Sequence, residues 1–268
     1  MALTTRSTEC LKAKKVTWAG SSDRIRGLPD NVAQHVHSFL AAEEAVRSCV
    51  LAQRWRHLWK SMPVLRVTRG RPAQDSHRWM DHPIVLRSRS PLDACLLNFG
   101  EASKADKHYV NLWIRYALLC KVRVLNVVFR DGSHLLTLSR LPAISQNLTN
   151  LELANVRLDD NLCASQGLSA ATNLKLIAEP GLIILQRDLR QCPTFCKIKR
   201  LLLSEWSLAG NHHALICILQ HTPILENLIL QLKTTEDTEQ VKATYNLLEQ
   251  SFALGNLKTV EIACEEVM

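Results

Sequence analysis

The chain has 268 residues; 47% are hydrophobic but only 5% are aromatic, so aliphatic side chains must fill any core. This length allows one large domain, or a small domain followed by a larger one. The net charge of +8 favours acidic partners, either nucleic acid or an acidic protein surface. No apolar run approaches the roughly 18 residues of a membrane span, so no membrane association is expected.

The nine cysteines form no regular disulfide framework, and the first residues lack the apolar segment of a secretory signal. We therefore expect reduced thiols in a protein of the nucleus or cytoplasm. The nearest approach to a metal site is Cys192 and Cys196 followed by His212 and His213, an order and spacing that fit no common zinc pattern. We expect no metal and no cofactor. Phosphate-loop, H-E-x-x-H and G-x-S-x-G motifs are also absent, so catalytic residues are not expected.

Residues 1–22 are polar, basic and without period, which predicts a disordered basic tail. Order is expected from Asp23, because "DRIRGLPD" places Pro29 where a helix can begin. The first predicted helix carries an apolar face at the spacing i, i+4, i+7 and i+8, formed by Val32, Val36, Phe39 and Leu40.

A short second helix is predicted over residues 43–49, with Ala45, Val46 and Cys49 inward. A third is predicted before Pro63, on the spacing of Leu51, Trp55, Leu58 and Trp59. In "VLAQRWRHLWK" both tryptophans lie on this leucine stripe and the basic residues lie on the other faces. Packing or an apolar interface is therefore favoured over phosphate contact by Arg54 and Arg56.

Residues 67–91 mix charge with turn residues and predict a linker. From residue 92 onwards the pattern L-x-x-L-x-L recurs at intervals of 24 to 32 residues. This spacing brackets that of leucine-rich repeats, in which each unit buries its aliphatic face only by stacking on its neighbours. The predicted repeat starts are Leu92, Val122, Leu148, Leu174, Ile198, Leu225 and Leu257.

Two further features belong to the predicted repeats. Leu151 and Leu153 are expected to share one continuous core with Leu201 and Leu203, because alternate residues of a strand point to the same face. A helix before a strand at residues 122–129 is predicted from the spacing of Val110, Trp113, Ile114 and Ala117.

The segment "DRIRGLPDNVAQHVHSFLAAEEAVRSCVLAQRWRHLW" resembles the F-box of plant F-box/leucine-rich-repeat proteins. The segments "PLDACLLNF", "VNLWIRYALLCKVRVLNV" and "CPTFCKIKRLLLSEW" also resemble that group, and "LKTVEIACEEV" resembles the start of its C-terminal conserved segment. The resemblance implies an α/β fold. A three-helix F-box would occupy residues 23–66, and an irregular leucine-rich-repeat solenoid with a short-stranded parallel sheet and a truncated C-terminal end would occupy residues 92–268.

The same resemblance implies a non-catalytic substrate receptor of a cullin-based ubiquitin ligase. Its F-box would dock on a Skp-type adaptor, and its repeats would hold a target protein that the sequence does not identify. The residues that match the family's adaptor-binding motifs are Leu28, Pro29, Val32, Val50, Leu51 and Trp55.

The sequence departs from the family pattern at His37, where an aliphatic residue is usual, at Ala41, which replaces a usual proline, and at Pro83. His37 lies at the margin of the apolar stripe, either buried or solvated. If it is buried, a leucine is expected to restore the family's apolar character and to give tighter adaptor binding or a more stable F-box. Two alternative functions stay open: a repeat protein with a defective F-box, and a basic nucleic-acid-binding protein, which is disfavoured.

Overall fold

The computed structural model describes residues 28–50, 53–69, 87, 90–100, 106–130, 136–138, 147–158, 170–177, 195–206, 215–216, 218–233 and 254–265. The predicted basic tail, residues 1–22, lies outside these ranges. None of the helices within them is long and apolar enough to cross a membrane.

The described residues form helices in the amino-terminal part and between the first strands, and parallel strands elsewhere. The α-helices with defined bounds are α1 (Asp30–His37), α2 (Ala42–Arg47) and α3 (Asp106–Leu119). The strands are β1 (Val64–Arg69), β2 (Ala94–Phe99), β3 (Val124–Phe129), β4 (Leu136–Leu138), β5 (Asn150–Ala154), β6 (Val156–Leu158), β7 (Asn173–Ile177), β8 (Arg200–Trp206), β9 (Asn227–Lys233) and β10 (Thr259–Glu265).

Eight strands form one parallel sheet in the order β1-β2-β3-β5-β7-β8-β9-β10, and β4 pairs with β6 beside it. Each sheet strand is therefore the neighbour of the next one along the chain, apart from the β4–β6 pair. This is the topology of a solenoid, in which every repeat contributes one strand and contacts its neighbours alone. The parallel-strand solenoid fits the predicted leucine-rich-repeat fold.

The core of the sheet consists of two rows of side chains that are buried from β1 to β9; at β10 the corresponding residues, Val260 and Ile262, are exposed. In one row, Leu125 of β3, Leu151 of β5 and Leu174 of β7 lie in register. Leu153, Leu176 and Leu203 do the same two residues further along each strand. All belong to one continuous cluster of buried residues, which confirms the core predicted for Leu151, Leu153, Leu201 and Leu203.

A third buried position precedes each strand. It is occupied by Leu92, Val122, Leu148, Ala171, Ile198 and Leu225, each two residues before its strand. Five of the seven predicted repeat starts lie at this buried position, and Leu257 lies two residues before β10 but is half-buried; Leu174 does not lie at this position. Leu174 pairs with Leu151 and Leu201 inside the sheet, so the equivalent residue of that repeat is Ala171. The predicted register of this repeat is wrong, because an alanine fills the place of the usual leucine.

Helix α3 covers the sheet between β2 and β3. Val110, Trp113, Ile114 and Ala117 are fully buried, which confirms the predicted inward face. This helix and the strand after it form the one repeat in which the described residues include a long helix of defined bounds.

The sheet begins earlier than the sequence predicts. Strand β1 pairs with β2 in parallel, and Leu65 and Val67 are buried in the main core. The sheet thus starts at Val64, within residues assigned to the end of the F-box, and residues 67–69 of the predicted linker belong to its first strand.

The predicted third helix of the F-box is not a continuous α-helix. The chain there forms 3-10 helices at Ser48–Val50, Gln53–Arg56 and Leu58–Ser61. Residues three apart lie above one another in this tighter geometry. Trp59 and Met62 have that separation, and both are buried against Ala45 in a small second core. The burial of Trp59 agrees with the packing predicted for the tryptophans, but the described residues of the F-box form two α-helices followed by 3-10 helices, so the predicted three-helix F-box is not confirmed.

One buried cation ties the amino-terminal core to the sheet. The Arg87 guanidinium donates to the carbonyl oxygens of Trp59, at 3.0 Å, and Met62, at 2.8 Å. It also lies near Cys95 of β2, whose thiol pKa is raised to about 12 because the residue is buried; the nearby positive charge opposes this shift. A buried guanidinium is retained only where acceptors satisfy it, so Arg87 fixes the chain before β2 against the end of the 3-10 helices.

Replacing Leu203 with alanine tests the continuous core. The side chain is fully buried, so its truncation should lower the free energy of unfolding by about 2–5 kcal/mol. Urea unfolding of the intact chain measures the loss. The matched control is Leu202→Ala, whose half-exposed side chain lies on the other face of the same strand and should cost clearly less. Equal losses in the two variants would contradict the assignment of faces.

Candidate functional site

Helix α1 begins at Asp30, directly after Pro29. The backbone of Pro29 is extended, with φ of −57° and ψ of 149°, and its carbonyl accepts a hydrogen bond from the Ala33 amide at 3.0 Å. Proline suits this position because its ring fixes φ and the amide that it lacks would have no helical partner. The Asp30 carboxylate in the first turn is also favourable at the positive end of the helix dipole.

The inner face of α1 consists of Ala33 and His37, one turn apart and both buried. The His37 ring nitrogens lie 2.7 Å from the Ala33 carbonyl and 2.9 Å from the Ser48 hydroxyl. Its ring also meets the Trp55 ring edge-on, at 5.0 Å between centroids. The buried alternative for His37 is therefore correct, but the site is polar and matched to an imidazole. The hydrogen bonds oppose the expectation that a leucine would stabilise the F-box, because the partners of His37 need a polar side chain.

The outer face of α1 carries the larger apolar residues. Val32, Val36 and Phe39 are 40%, 51% and 65% exposed, and we call these three the apolar face. The predicted stripe is thus split, since only Leu40 of its four members is half-buried against the small core. Helix α1 buries an alanine and a histidine, while its two valines, together with Phe39 two residues beyond its end, present an apolar surface to solvent or to a partner.

The six predicted adaptor-binding residues lie in different environments. Pro29, Val32 and Val50 are exposed, and Val50 is the most exposed at 88%. Leu28 and Trp55 are half-buried, and Leu51 lies outside the described residues. Sequence reasoning left Val36 and Phe39 out of this set. Their spacing of four and seven residues from Val32, one and two helical turns, is the signal that identifies them.

The basic segment that contains Trp55 and Trp59 has little accessible aromatic surface on which nucleic-acid bases could stack. Trp59 is buried, and Lys60 lies over its ring with the ammonium 5.9 Å from the centroid. The half-buried Trp55 contacts His37. Stacking on single-stranded nucleic acid requires accessible aromatic faces, so these rings favour the packing interpretation of the segment.

The second candidate surface is the outward face of the sheet, opposite the leucine rows. Its middle register position holds polar residues on β3, β5 and β7: Asn126 donates to the Glu152 carboxylate at 2.7 Å, and Lys175 pairs with the same group at 2.9 Å. The same position becomes apolar on β8 and β9, where Leu202 and Ile229 lie in register. One side of this face thus offers hydrogen bonds, and the other offers apolar contact.

A further cluster lies just before the last three strands. Glu226 accepts from Lys258 at 2.7 Å and pairs with Lys199 at 2.9 Å, one lysine from each neighbouring repeat. The hydrogen bonds from Lys258 and then Lys199 lower the pKa of Glu226 to about 2. Among the described residues, no group of three or more histidine, cysteine or acidic side chains could hold a metal ion.

Replacing His37 with leucine should destabilise the amino-terminal core by about 1–3 kcal/mol, because it leaves the Ser48 hydroxyl without its ring partner. Thermal and urea unfolding measure the change. The control is His35→Leu, an exposed position two residues away, which should stay within about 0.5 kcal/mol of the parent chain. A His37→Leu chain as stable as the parent would show that these hydrogen bonds contribute nothing.

The Glu226 cluster predicts a specific acid dependence. Because the folded-state pKa lies near 2, below the ordinary value of 4.5, the carboxylate stabilises the fold fully above about pH 4.5, and this contribution is lost as the pH falls toward 2. The difference in unfolding free energy between the parent and Glu226→Gln should therefore shrink across that window. Lys258→Gln should also reduce this difference in unfolding free energy, because it removes the hydrogen bond that contributes most to the lowered pKa of Glu226. A difference that does not vary with pH would refute the cluster.

Comparison with known proteins points in one direction. No protein-family model matches the chain. An F-box/LRR-repeat protein of Arabidopsis thaliana is 32% identical over 139 residues, 52% of this chain and 28% of the relative. Another is 27% identical over 209 residues, 71% of this chain and 43% of the relative. An Arabidopsis F-box/FBD/LRR-repeat protein is 24% identical over 144 residues, 53% of this chain and 34% of the relative.

The matched part of this chain thus spans less than half the length of these curated relatives. The three relatives share the F-box and leucine-rich-repeat description, which agrees with the parallel solenoid and with the helices that precede it. The chain is a homologue of F-box/LRR-repeat proteins of Arabidopsis thaliana.

Proposed function

We propose that this chain is the substrate receptor of a cullin-RING ubiquitin ligase, in which it links a target protein to a Skp-type adaptor. The single observation that carries the proposal is the apolar face of α1, formed by Val32, Val36 and Phe39, in a homologue of F-box/LRR-repeat proteins. We place the complex in the nucleus or the cytoplasm.

The adaptor would cover the apolar face. Full burial of a valine or phenylalanine side chain stabilises by about 1.5–3 kcal/mol relative to exposure, so three such residues are enough to anchor an interface. Pro29 and Val50 are also exposed and join the proposed adaptor contact, as do Leu28, Leu51 and Trp55 from the sequence motifs. The ordered hydrogen bonds of His37 argue against a defective F-box, because they fix the inner face of α1.

The repeats would hold the target on the outward face of the sheet. There the Asn126–Glu152–Lys175 network lies beside the apolar pair Leu202 and Ile229. Such a receptor makes and breaks no bond itself. It holds the target near the conjugating enzyme and so raises the effective concentration of the target's lysines there.

The double substitution Val36→Ser and Phe39→Ser tests the adaptor site. Both side chains are more than half exposed, so the fold should persist, while the affinity for a purified Skp-type adaptor should fall by about 10- to 100-fold. Isothermal titration or surface plasmon resonance measures the affinity, and circular dichroism checks the fold.

The matched control is Leu112→Ser with Leu119→Ser, two exposed leucines on α3, far along the chain from the F-box. This variant should bind the adaptor like the parent. If the parent chain shows no adaptor binding, or if the α1 and α3 variants bind equally well, the proposal fails.

A further inference from the structure

The amino-terminal ends of the sheet strands carry an unusual charge. In a parallel sheet all these ends lie along one edge, so residues just before each strand become neighbours although they are far apart in sequence. Six exposed cations occupy this edge, and we call them the cationic edge: Lys121, Arg123, Lys197, Lys199, Arg200 and Lys258.

Repeats place these cations at equivalent positions. Lys121 and Lys197 precede β3 and β8 by three residues, and Arg123 and Lys199 precede them by one. Along the described residues of this edge the only carboxylates are Asp93 before β2 and Glu226 before β9, so four positive charges are in excess. The chain's net charge of +8 is therefore partly concentrated on one side of the solenoid.

Five of the cations form two groups with a neutral gap between them, and Lys258 lies apart from both, before β10. From β3 to β8 the sheet advances by three strand spacings, about 14 Å. Thr149 and Thr172 fill the gap, and their hydroxyls donate to the carbonyls of Arg123 and Thr149, at 3.0 and 3.1 Å. Asn173 donates to Asn150 at 2.7 Å beside them. The gap is polar, uncharged and ordered.

We propose that the cationic edge binds an acidic, extended segment of the target protein. This rests on the proposed receptor function and adds the chemical class of the target. An extended chain advances about 3.4 Å per residue, so two acidic positions about four residues apart would reach the Lys121–Arg123 group and the Lys197–Arg200 group together. The polar gap between them can hydrogen-bond to the peptide backbone.

A peptide fits this edge better than nucleic acid. The carboxylates of Asp93 and Glu226 interrupt the row on either side of the two groups, and Glu226 already pairs with Lys199 and Lys258, so the edge offers no continuous row of cations to a phosphate backbone. A peptide can place its acids opposite the cations alone. The one aromatic residue among the described residues of this edge, Phe195, is buried and cannot stack on bases.

The test uses the full chain and a labelled Gly-Ser peptide that carries two glutamate pairs about four residues apart. Fluorescence anisotropy at low salt should show saturable binding. The variant Arg123→Gln with Arg200→Gln should bind about tenfold more weakly. The control Arg130→Gln removes an exposed cation from the opposite end of β3 and should bind like the parent.

The same assay is run with three comparison ligands: a peptide with its glutamates in one block, duplex DNA and single-stranded DNA. The proposal is overturned if the spaced peptide does not bind, if Arg130→Gln weakens binding as much as the edge variant, or if either DNA binds as tightly as the peptide. Adaptor affinity is measured on the same variants and should not change. A variant that loses peptide binding but keeps its adaptor affinity then locates the peptide site at the cationic edge. A parent chain that does not bind the adaptor instead contradicts the receptor proposal.

Discussion

The whole sheet depends on parallel pairing in an unshifted register. Each strand from β1 to β10 in the main sheet places its inward side chains opposite those of its neighbours, so leucine meets leucine across repeat after repeat. A single repeat cannot remove its two or three aliphatic residues from water, and its stability is therefore that of the stack. The only register shift in the pairing of these strands lies at Ser204 and Trp206, near the end of β8, beyond the two leucine rows.

The amino-terminal part obeys a different constraint. Its small core of Ala45, Trp59 and Met62 has too little apolar surface to stand far from the sheet. Arg87 holds it through two main-chain carbonyls, and Arg66 of β1 donates to the carbonyl of Ser38 at 2.8 Å. Because these contacts and the polar site around His37 order the helices, the larger apolar residues of α1 are not needed inside and can be presented outwards.

The repeats could be predicted well from sequence because their signal has period two and recurs. Leu151, Leu153, Leu201 and Leu203 show the alternation directly, and the positions before the strands repeat it. Ala171 could not be recognised, since an alanine is not distinctive in a leucine-rich chain. Strand β1 was missed because "VLRVTR" belongs to the sheet only through its pairing with β2.

The candidate site was less predictable than the fold. Helical spacing identified an apolar stripe on α1 but not which side of it is buried, because that depends on contacts with other elements. His37 shows the reason: its hydroxyl partner, Ser48, lies 11 residues away on a separate helix. Leu28, Pro29, Val32, Val50, Leu51 and Trp55 stay predictions of adaptor contact, and the cationic edge became visible only when the topology aligned the strand ends.

Adjacent leucines of β8 have different roles in the fold. Leu201 and Leu203 face the core, whereas Leu202 faces the other way and lies beside Ile229. A substitution at the outward position changes what the surface can contact and leaves the packing of the stack almost intact. Neighbouring residues of one strand therefore determine different properties: one determines the packing of the core, and the next determines what the surface can bind. A lineage of such repeat proteins can acquire new binding surfaces by altering every second residue of its strands, while the core stays the same.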